Sequence, residues 1–376
     1  MDWGGAPDIL RTLVDNLAPD TFEVTVVTGR TQSPAEKTRA FFKKQEGRLV
    51  VIGDLRRDIH PWHDLCAAVR LYALFRRLRP DIVHTHTAKA GFLGRCAARL
   101  TGVPVVVHTP HGHNLYGYGG QEISWCLRKV EQWAARYTDA YIALTELEKD
   151  DLLRYRVSSA EKIQVISQGI ETGSCVPETQ DHEAYRKACG FGPGDRIVGM
   201  TGRLEPVKGP RYFIEAAAQV AKGNPGVKFL LAGEGSLRKA LEDDIVRAGL
   251  TGRCALLGWQ EDMDRIFSIL DILVLPSLNE AVGMVLIEAQ SRGVPVVATK
   301  VGGVPEVVKD NETGVLVPPG DPLALARAIE GLLSDDTKRK RMGEAGRAWM
   351  QGRFKKEEML RRTEELYLRL INSIAF

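Results

Sequence analysis

Short apolar runs alternate along the whole chain with segments whose apolar positions recur every three or four residues. In the first half FEVTVVTG, RLVVIG, DIVHTH, VPVVVHT and AYIALT read as strands; in the second half RIVGMTG, KFLLAGEG, CALLGW, DILVLPS and VPVVAT repeat the pattern. Between them lie helix-like stretches such as Leu65 to Leu78 and Lys89 to Leu100. Continuous apolar strands separated by helices predict parallel sheets covered on both faces. The expected class is therefore α/β, as two layered sandwiches. A polar stretch from Gln168 to Gly194, containing Gly and Pro, shows no convincing element until Asp181 and reads as the hinge. This places a first domain at 1–172 and a second at 173–354. The remaining segment, 355–376, contains a charged amphipathic helix over Lys355 to Leu370, expected to pack back on the first domain. At the other end, Gly4-Gly5 opens directly into a helix-like run from Ile9 to Leu17. A Gly-Gly loop before a helix ordinarily follows a strand, so the first strand of that sheet is expected upstream of Met1.

Composition narrows the class. The length of 376 residues exceeds what one compact core usually serves, in keeping with two domains. A formal net charge of +3 is too weak to suggest a nucleic-acid partner, while leaving room for a basic patch facing an anionic ligand or surface. The cysteines Cys66, Cys96, Cys126, Cys175, Cys189 and Cys254 form no CxxC pair and fit a reducing cytoplasm. No apolar run approaches the roughly 18 residues of a membrane span, and the start lacks the pattern of a secretory signal. The oligomeric state is left open.

Ligands of open parallel sheets bind beyond the carboxyl ends of the strands. That rule selects Gly5 at the first helix, His84 and His86, then His108, His111 and His113. In the second half it selects Gly202, Arg203 and Lys208, then Gly233, and then Ser277, Asn279 and Glu280. Glu280 and Glu288 stand eight positions apart with Gly283 between them. A helix beginning near Gly283 would aim the amides of Gly283, Met284 and Val285 at an anion. Glu280 would then precede the helix and Glu288 would face inward along it, where a carboxylate accepts hydrogen bonds from two ribose hydroxyls; Glu288 also reads as an ordinary helix residue. Arg203 offers a planar bidentate donor and Lys208 a compact positive charge. Together they could stabilise a departing diphosphate without a metal; the alternative is two solvated loop charges. The histidines fit hydrogen bonding to sugar hydroxyls or phosphate better than zinc, since no carboxylate or thiolate accompanies them at ligand spacing; His113 or His86 reads equally as a satisfied structural residue. Asp262-Met263-Asp264 has the DxD form of a metal-binding pair, but Asp262 or Asp264 reads more simply as a helix N-cap.

Taken in order, these residues resemble the GT4 family of retaining glycosyltransferases with the GT-B fold. The resemblance rests on Gly4-Gly5, TPHGH at Thr109 to His113, GRLEPVKG at Gly202 to Gly209 and GEG at Gly233 to Gly235. It continues through LGW at Leu257 to Trp259, the span from Glu280 to Glu288, GGVPEVV at Gly302 to Val308 and TGVLVPPGDP at Thr313 to Pro322. It implies two Rossmann-like domains facing across a cleft. It further implies that Gly5 approaches the diphosphate through its backbone, that Arg203 and Lys208 hold the diphosphate, and that Glu288 binds the ribose. Glu280 would contact the donor sugar, backbone near Trp259 would read the base, and His111 would sit beside the transferred sugar.

The implied reaction is retaining transfer of a hexosyl group from a UDP-sugar, GDP-sugar or other nucleotide-diphosphate sugar, with no metal and no cofactor. The implied acceptor is lipid-linked or saccharide, in lipopolysaccharide or other surface-polysaccharide or glycolipid synthesis at the inner face of a bacterial membrane. The sequence departs from the family at SQGIE, where Asn often precedes Gly, and at Ala281-Val282-Gly283, where a Gly commonly follows the Glu. A sugar-nucleotide epimerase shares the fold and is the alternative. Peripheral contact with an anionic membrane finds a candidate in Lys37 to Arg48, where Phe41 and Phe42 adjoin Lys43 and Lys44; the same segment also reads as a solvated element with one apolar anchor.

Overall fold

A computed structural model describes residues 5–30, 36–56, 58–112, 115, 120–170 and 181–374. Gly4, His113 and Cys175, named above, lie outside the described residues. The chain divides into two compact units, one of residues 1–169 and 356–376, the other of 170–355.

The first unit runs α1 (Gly5–Asn16), β1 (Val26–Thr28), α2 (Glu36–Lys44), β2 (Leu49–Val51), α3 (Pro61–Leu78), β3 (Ile82–His86), α4 (Ala88–Thr101), β4 (Val105–Thr109), α5 (Gly120–Ala134), β5 (Ala140–Ala143), α6 (Glu146–Arg154) and β6 (Ile163–Val165). β1 and β2 pair in parallel, and β3-β4-β5-β6 form a four-stranded parallel sheet. Ala67, Leu71, Leu74 and Phe75 of α3 pack with Val83, Ala97 and Val106 into the core beside the sheet. The strand from Val105 to Thr109, three valines followed by His108 and Thr109, is buried at every position, as expected of an inner parallel strand.

The second unit runs α7 (Asp181–Ala188), β7 (Arg196–Thr201), α8 (Pro210–Gly223), β8 (Val227–Ala232), α9 (Arg238–Arg247), β9 (Cys254–Gly258), α10 (Met263–Ile269), β10 (Ile272–Leu275), α11 (Met284–Ser291), β11 (Val296–Thr299), α12 (Val304–Val307), β12 (Gly314–Val317), α13 (Pro322–Leu333) and α14 (Asp336–Arg353). Its six strands are all parallel, in the order β9-β8-β7-β10-β11-β12. That is the doubly wound order, whose topological switch falls between β7 and β10. Val198, Phe213, Phe229, Leu231, Val274 and Val297 centre its core. The last helix, α15 (Lys356–Asn372), belongs to the first unit, where Met359, Thr363, Leu366 and Tyr367 are buried.

Two strands were not anticipated. β6 and β12 are the outer strands of their sheets; Gln164 breaks the apolar run of β6, and β12 is a short run, GVLV, whose two middle positions are only partly buried. Asp262 is the N-cap of α10, its carboxylate accepting from the amides of Asp264 and Arg265. The aromatic pair on α2 favours the second reading of that segment, an element with an apolar anchor, over membrane contact. Phe41 is only 5% exposed and packs with Val14 and Val26, with Phe42 partly buried against the same cluster. Both rings are thus committed to the protein interior, and Lys44 pairs with Asp15 at 3.0 Å. Among the described residues no helix is long and apolar enough to cross a membrane.

Candidate active site

In the second unit the ends of β7, β8 and β9 come together backbone to backbone. The Gly202 amide donates to the Ala232 carbonyl at 2.9 Å and the Gly233 amide to Gly258 at 2.7 Å, extending the ladder one residue past each strand. A Cβ at Gly233 would stand 1.8 Å from the Gly202 carbonyl oxygen, and its φ of +152° disfavours any side chain. The glycines of the GR and GEG motifs thus let adjacent strand ends touch. Trp259 follows directly after β9 at this edge and is partly exposed.

At the switch point the loop after β7 meets the loop after β10. The Leu278 amide donates to the Val207 carbonyl at 2.8 Å. Lys208 ends a short 3-10 turn, Pro206–Lys208. Its Nζ donates to Glu280 Oε2 at 2.6 Å, and the buried Ser277 hydroxyl donates to the same oxygen at 3.0 Å. The Glu280 backbone is pinned as well: its carbonyl accepts from the Gly303 amide at 3.2 Å, and a Cβ at Gly302 would sit 1.8 Å from that oxygen. The GGVPEVV motif therefore buttresses Glu280. Arg203 is exposed in the same loop as Lys208 and forms no ion pair among the described residues.

The α11 helix starts at Met284, with Gly283 in the left-handed conformation at its N-cap and no side-chain cap. Gly283 thus offers the first amides of the helix no side-chain acceptor of its own, and a helix N-terminus of this kind favours an anion. Glu288 lies further along, partly buried, its carbonyl accepting from Ser291 Oγ at 2.8 Å and Arg292 Nη1 at 2.9 Å. The structure so brings Gly202, Arg203, Lys208, Ser277, Glu280, Gly283 and the start of α11 to the two loops of one switch point. Gly233 and Trp259 stand one and two strands away.

The first unit gathers the histidines. His86 Nδ1 and His111 Nε2 are 2.8 Å apart and share a hydrogen bond. The His84 and His86 rings lie with centroids 4.1 Å apart, tilted by 37°. Both His84 nitrogens are engaged, one with Thr109 Oγ1 at 2.8 Å and the other with Tyr367 Oη at 2.5 Å. His108 is buried against Thr85, 2.9 Å from its hydroxyl, so it is a structural residue. His111 itself adopts φ +58°, a costly conformation for a non-glycine residue. The turn after it is held by Glu148, which accepts from the Gly112 amide at 3.0 Å and the Leu144 amide at 2.7 Å. Gly5 begins α1 in this unit. Glu148 escaped the sequence reading, although Thr145-x-x-Glu148 has the form of a capping box, and Thr145 does accept from the Glu148 amide.

Burial holds all four imidazoles in the neutral form. It brings His86 down to about 4 and His108 to about 3, with the nearby Arg95 charge helping at His108. His84 and His111 fall well below the ordinary histidine range, through burial and then their histidine neighbours. An unfolded chain takes up these protons near pH 6.5, before the folded protein does. Stability is therefore full above about pH 6.5 and is lost as pH falls towards 4 and 3. Thermal melts of the first unit should shift down between pH 6.5 and 4, and less so in His108→Asn. A melting temperature flat across that range would contradict the neutral cluster.

The comparisons with known proteins follow this geometry. Residues 181–349 match the family model described as glycosyl transferases group 1, and residues 3–174 match that of glycosyltransferase family 4. The chain is 32% identical over 303 residues to the UDP-Gal:alpha-D-GlcNAc-diphosphoundecaprenol alpha-1,3-galactosyltransferase of Escherichia coli, covering 80% of this chain and 76% of that one. It is 32% identical over 288 residues to the D-inositol 3-phosphate glycosyltransferase of Corynebacterium diphtheriae, covering 73% and 67% respectively. Among solved structures it is similar to Anabaena Alr3699/HepE, determined in complex with UDP and glucose. That match has a TM-score of 0.81 at 24% identity and covers 96% of this chain and 95% of that one.

Proposed function

This chain belongs to the group 1 and family 4 glycosyltransferases, with the GT-B fold, and from that premise we propose that it transfers a hexosyl group, with retention, from a UDP- or GDP-sugar to a lipid-linked or saccharide acceptor. The observation that carries the reading is the Lys208–Glu280 pair at 2.6 Å on the β7–β10 switch point. It sets a cation and a carboxylate side by side where a doubly wound sheet binds its nucleotide. Arg203 and the Lys208 ammonium receive the diphosphate, and the Met284 and Val285 amides add the positive end of α11. Glu280 accepts from hydroxyls of the donor sugar, Glu288 from the ribose, and backbone at Trp259 faces the base. Gly5 is assigned the diphosphate through its backbone, and His111 the sugar as a neutral hydrogen-bonding partner.

As the bond from the anomeric carbon to the diphosphate oxygen breaks, negative charge grows on the leaving group. Arg203 and Lys208 stabilise it in place and supply the charge a metal would otherwise bring. The acceptor hydroxyl oxygen bonds to the anomeric carbon from the same face, and its proton passes to the leaving phosphate. The name of the Escherichia coli relative supports a UDP-sugar donor and a diphosphoundecaprenol-linked acceptor. Such an acceptor puts the enzyme at the inner face of the cytoplasmic membrane. The relatives are transferases by name, which weighs against the epimerase alternative.

The test incubates the protein with UDP-glucose, UDP-galactose and GDP-mannose, with EDTA present throughout, and follows nucleotide release and the anomeric configuration of the product by proton NMR. Release from one donor with an α-anomeric product is expected. Inversion would overturn the retaining reading, and dependence on added Mg²⁺ or Mn²⁺ the metal-free one.

A further inference from the structure

The α3 helix carries two apolar faces, and the core uses only one. Ala67, Leu71, Leu74 and Phe75 are buried. Trp62, Leu65, Val69 and Tyr72 recur at three- and four-residue steps on the opposite side and are all exposed, Trp62 to 67%. Ile59, just before the helix, is 82% exposed. Scattered exposed apolar residues are ordinary, but a continuous stripe of large ones marks a contact surface.

The charge around the stripe says what it contacts. Arg76 continues the same helical line, and Arg77 and Arg79 follow at the C-terminal end, all exposed. None of these three forms an ion pair among the described residues. Arg70 flanks the stripe, paired with Asp54 at 3.0 Å, and Asp64 is taken up by Lys89. Asp58 is an exposed acid ahead of Ile59. Within α3 three arginines face one aspartate, Asp64. A second copy packed face to face would set this positive stripe against itself about a twofold axis. An anionic headgroup layer complements it, while Trp and Tyr suit the boundary between headgroup and acyl chain.

We infer that the exposed face of α3 docks the enzyme on an anionic lipid surface, with Trp62, Leu65 and Val69 entering the interface and Arg76 and Arg77 meeting the headgroups. This deepens the reading above, in which the acceptor is lipid-linked: a docked enzyme meets such an acceptor in the plane of the membrane.

The experiment sediments the full chain with vesicles of phosphatidylglycerol and phosphatidylcholine, and with phosphatidylcholine alone. UDP affinity is measured in parallel, so failure of the docking surface and failure of the transferase reading are separate results. The wild-type protein should pellet with the anionic vesicles and detach as salt rises past about 0.3 M, since surface attraction is screened. The triple variant Trp62→Ser, Leu65→Ser, Val69→Ser should lose at least about ten-fold in partitioning. Arg76→Gln and Arg77→Gln should each lose about five-fold at low salt. Because these side chains are exposed, UDP affinity should be unchanged in every variant. Absence of wild-type binding to anionic vesicles, or undiminished binding by the triple variant, would overturn the inference. So would a dimer in solution that the triple variant dissociates without any vesicle binding, because the stripe would then belong to a second copy.

Discussion

Lys208→Ala lowers turnover by at least about 100-fold, the scale of losing a donor aimed at charge that develops in the transition state. Two effects add. On the proposed assignment the departing diphosphate would lose a fixed cation, and Glu280 would lose the partner 2.6 Å away that fixes its carboxylate. Ser277 still donates to the Glu280 carboxylate and Gly303 to its carbonyl, so the loop keeps its course and the loss appears in chemistry. Arg203→Ala should show a similar loss without the structural component, because Arg203 is exposed. Lys208→Ala and Glu280→Gln act on one pair, so their combined effect should fall well short of the sum. Steady-state transfer or donor-hydrolysis rates decide it, and wild-type turnover in Lys208→Ala would remove the phosphate assignment.

The second large effect concerns stability. Arg95 is 0% exposed and makes two parallel bonds to the Glu131 carboxylate, at 2.7 and 2.8 Å. The Tyr141 hydroxyl accepts from Arg95 at 2.9 Å and donates to Glu131 at 2.9 Å. Burial alone would push the Glu131 carboxyl up, but the bonds and charge of Arg95 outweigh it and hold the group down at about 2. Arg95→Met leaves that carboxylate without its cation and should cost about 3–5 kcal/mol. In a unit of this size the melting temperature should fall by about 10 °C or more. Replacing both partners, Arg95→Met with Glu131→Leu, should restore much of the loss, since no unpaired charge remains. The stabilisation is complete above about pH 4.5 and disappears as pH falls towards 2, the sign expected of a depressed carboxyl. A melting temperature in Arg95→Met within a degree of wild type would show the pair to be dispensable.

The inner strands and the loops that carry the candidate site were legible because burial on both faces forces continuous apolar runs, and glycines mark strand ends that touch. That Asp262 or Asp264 caps a helix was legible for a local reason: the hydrogen bonds of the cap, Asp262, reach only two and three residues ahead. What sequence could not show was pairing across distance. Lys208 and Glu280 stand 72 positions apart, and nothing in either motif announces that one holds the other. Tyr367 reaches His84 from 283 positions away and was invisible for the same reason. The α2 segment stayed open between membrane contact and an interior anchor because Phe41-Phe42 before two lysines looks identical whether the rings face solvent or core. Leu65, Val69 and Tyr72 of the α3 stripe lay within a predicted helix and Trp62 just before it, but which of its two apolar faces the core would take depends on tertiary packing.

The most direct test is calorimetric titration with UDP, GDP and ADP of the wild-type protein and of Glu288→Gln. Binding of one nucleotide at micromolar affinity, weakened at least about ten-fold in the variant by loss of charged hydrogen bonds to the ribose, is the predicted result. Equal affinity in the two proteins would contradict the ribose role of Glu288. Binding of none of the three by a folded wild-type protein would contradict the nucleotide-sugar site itself.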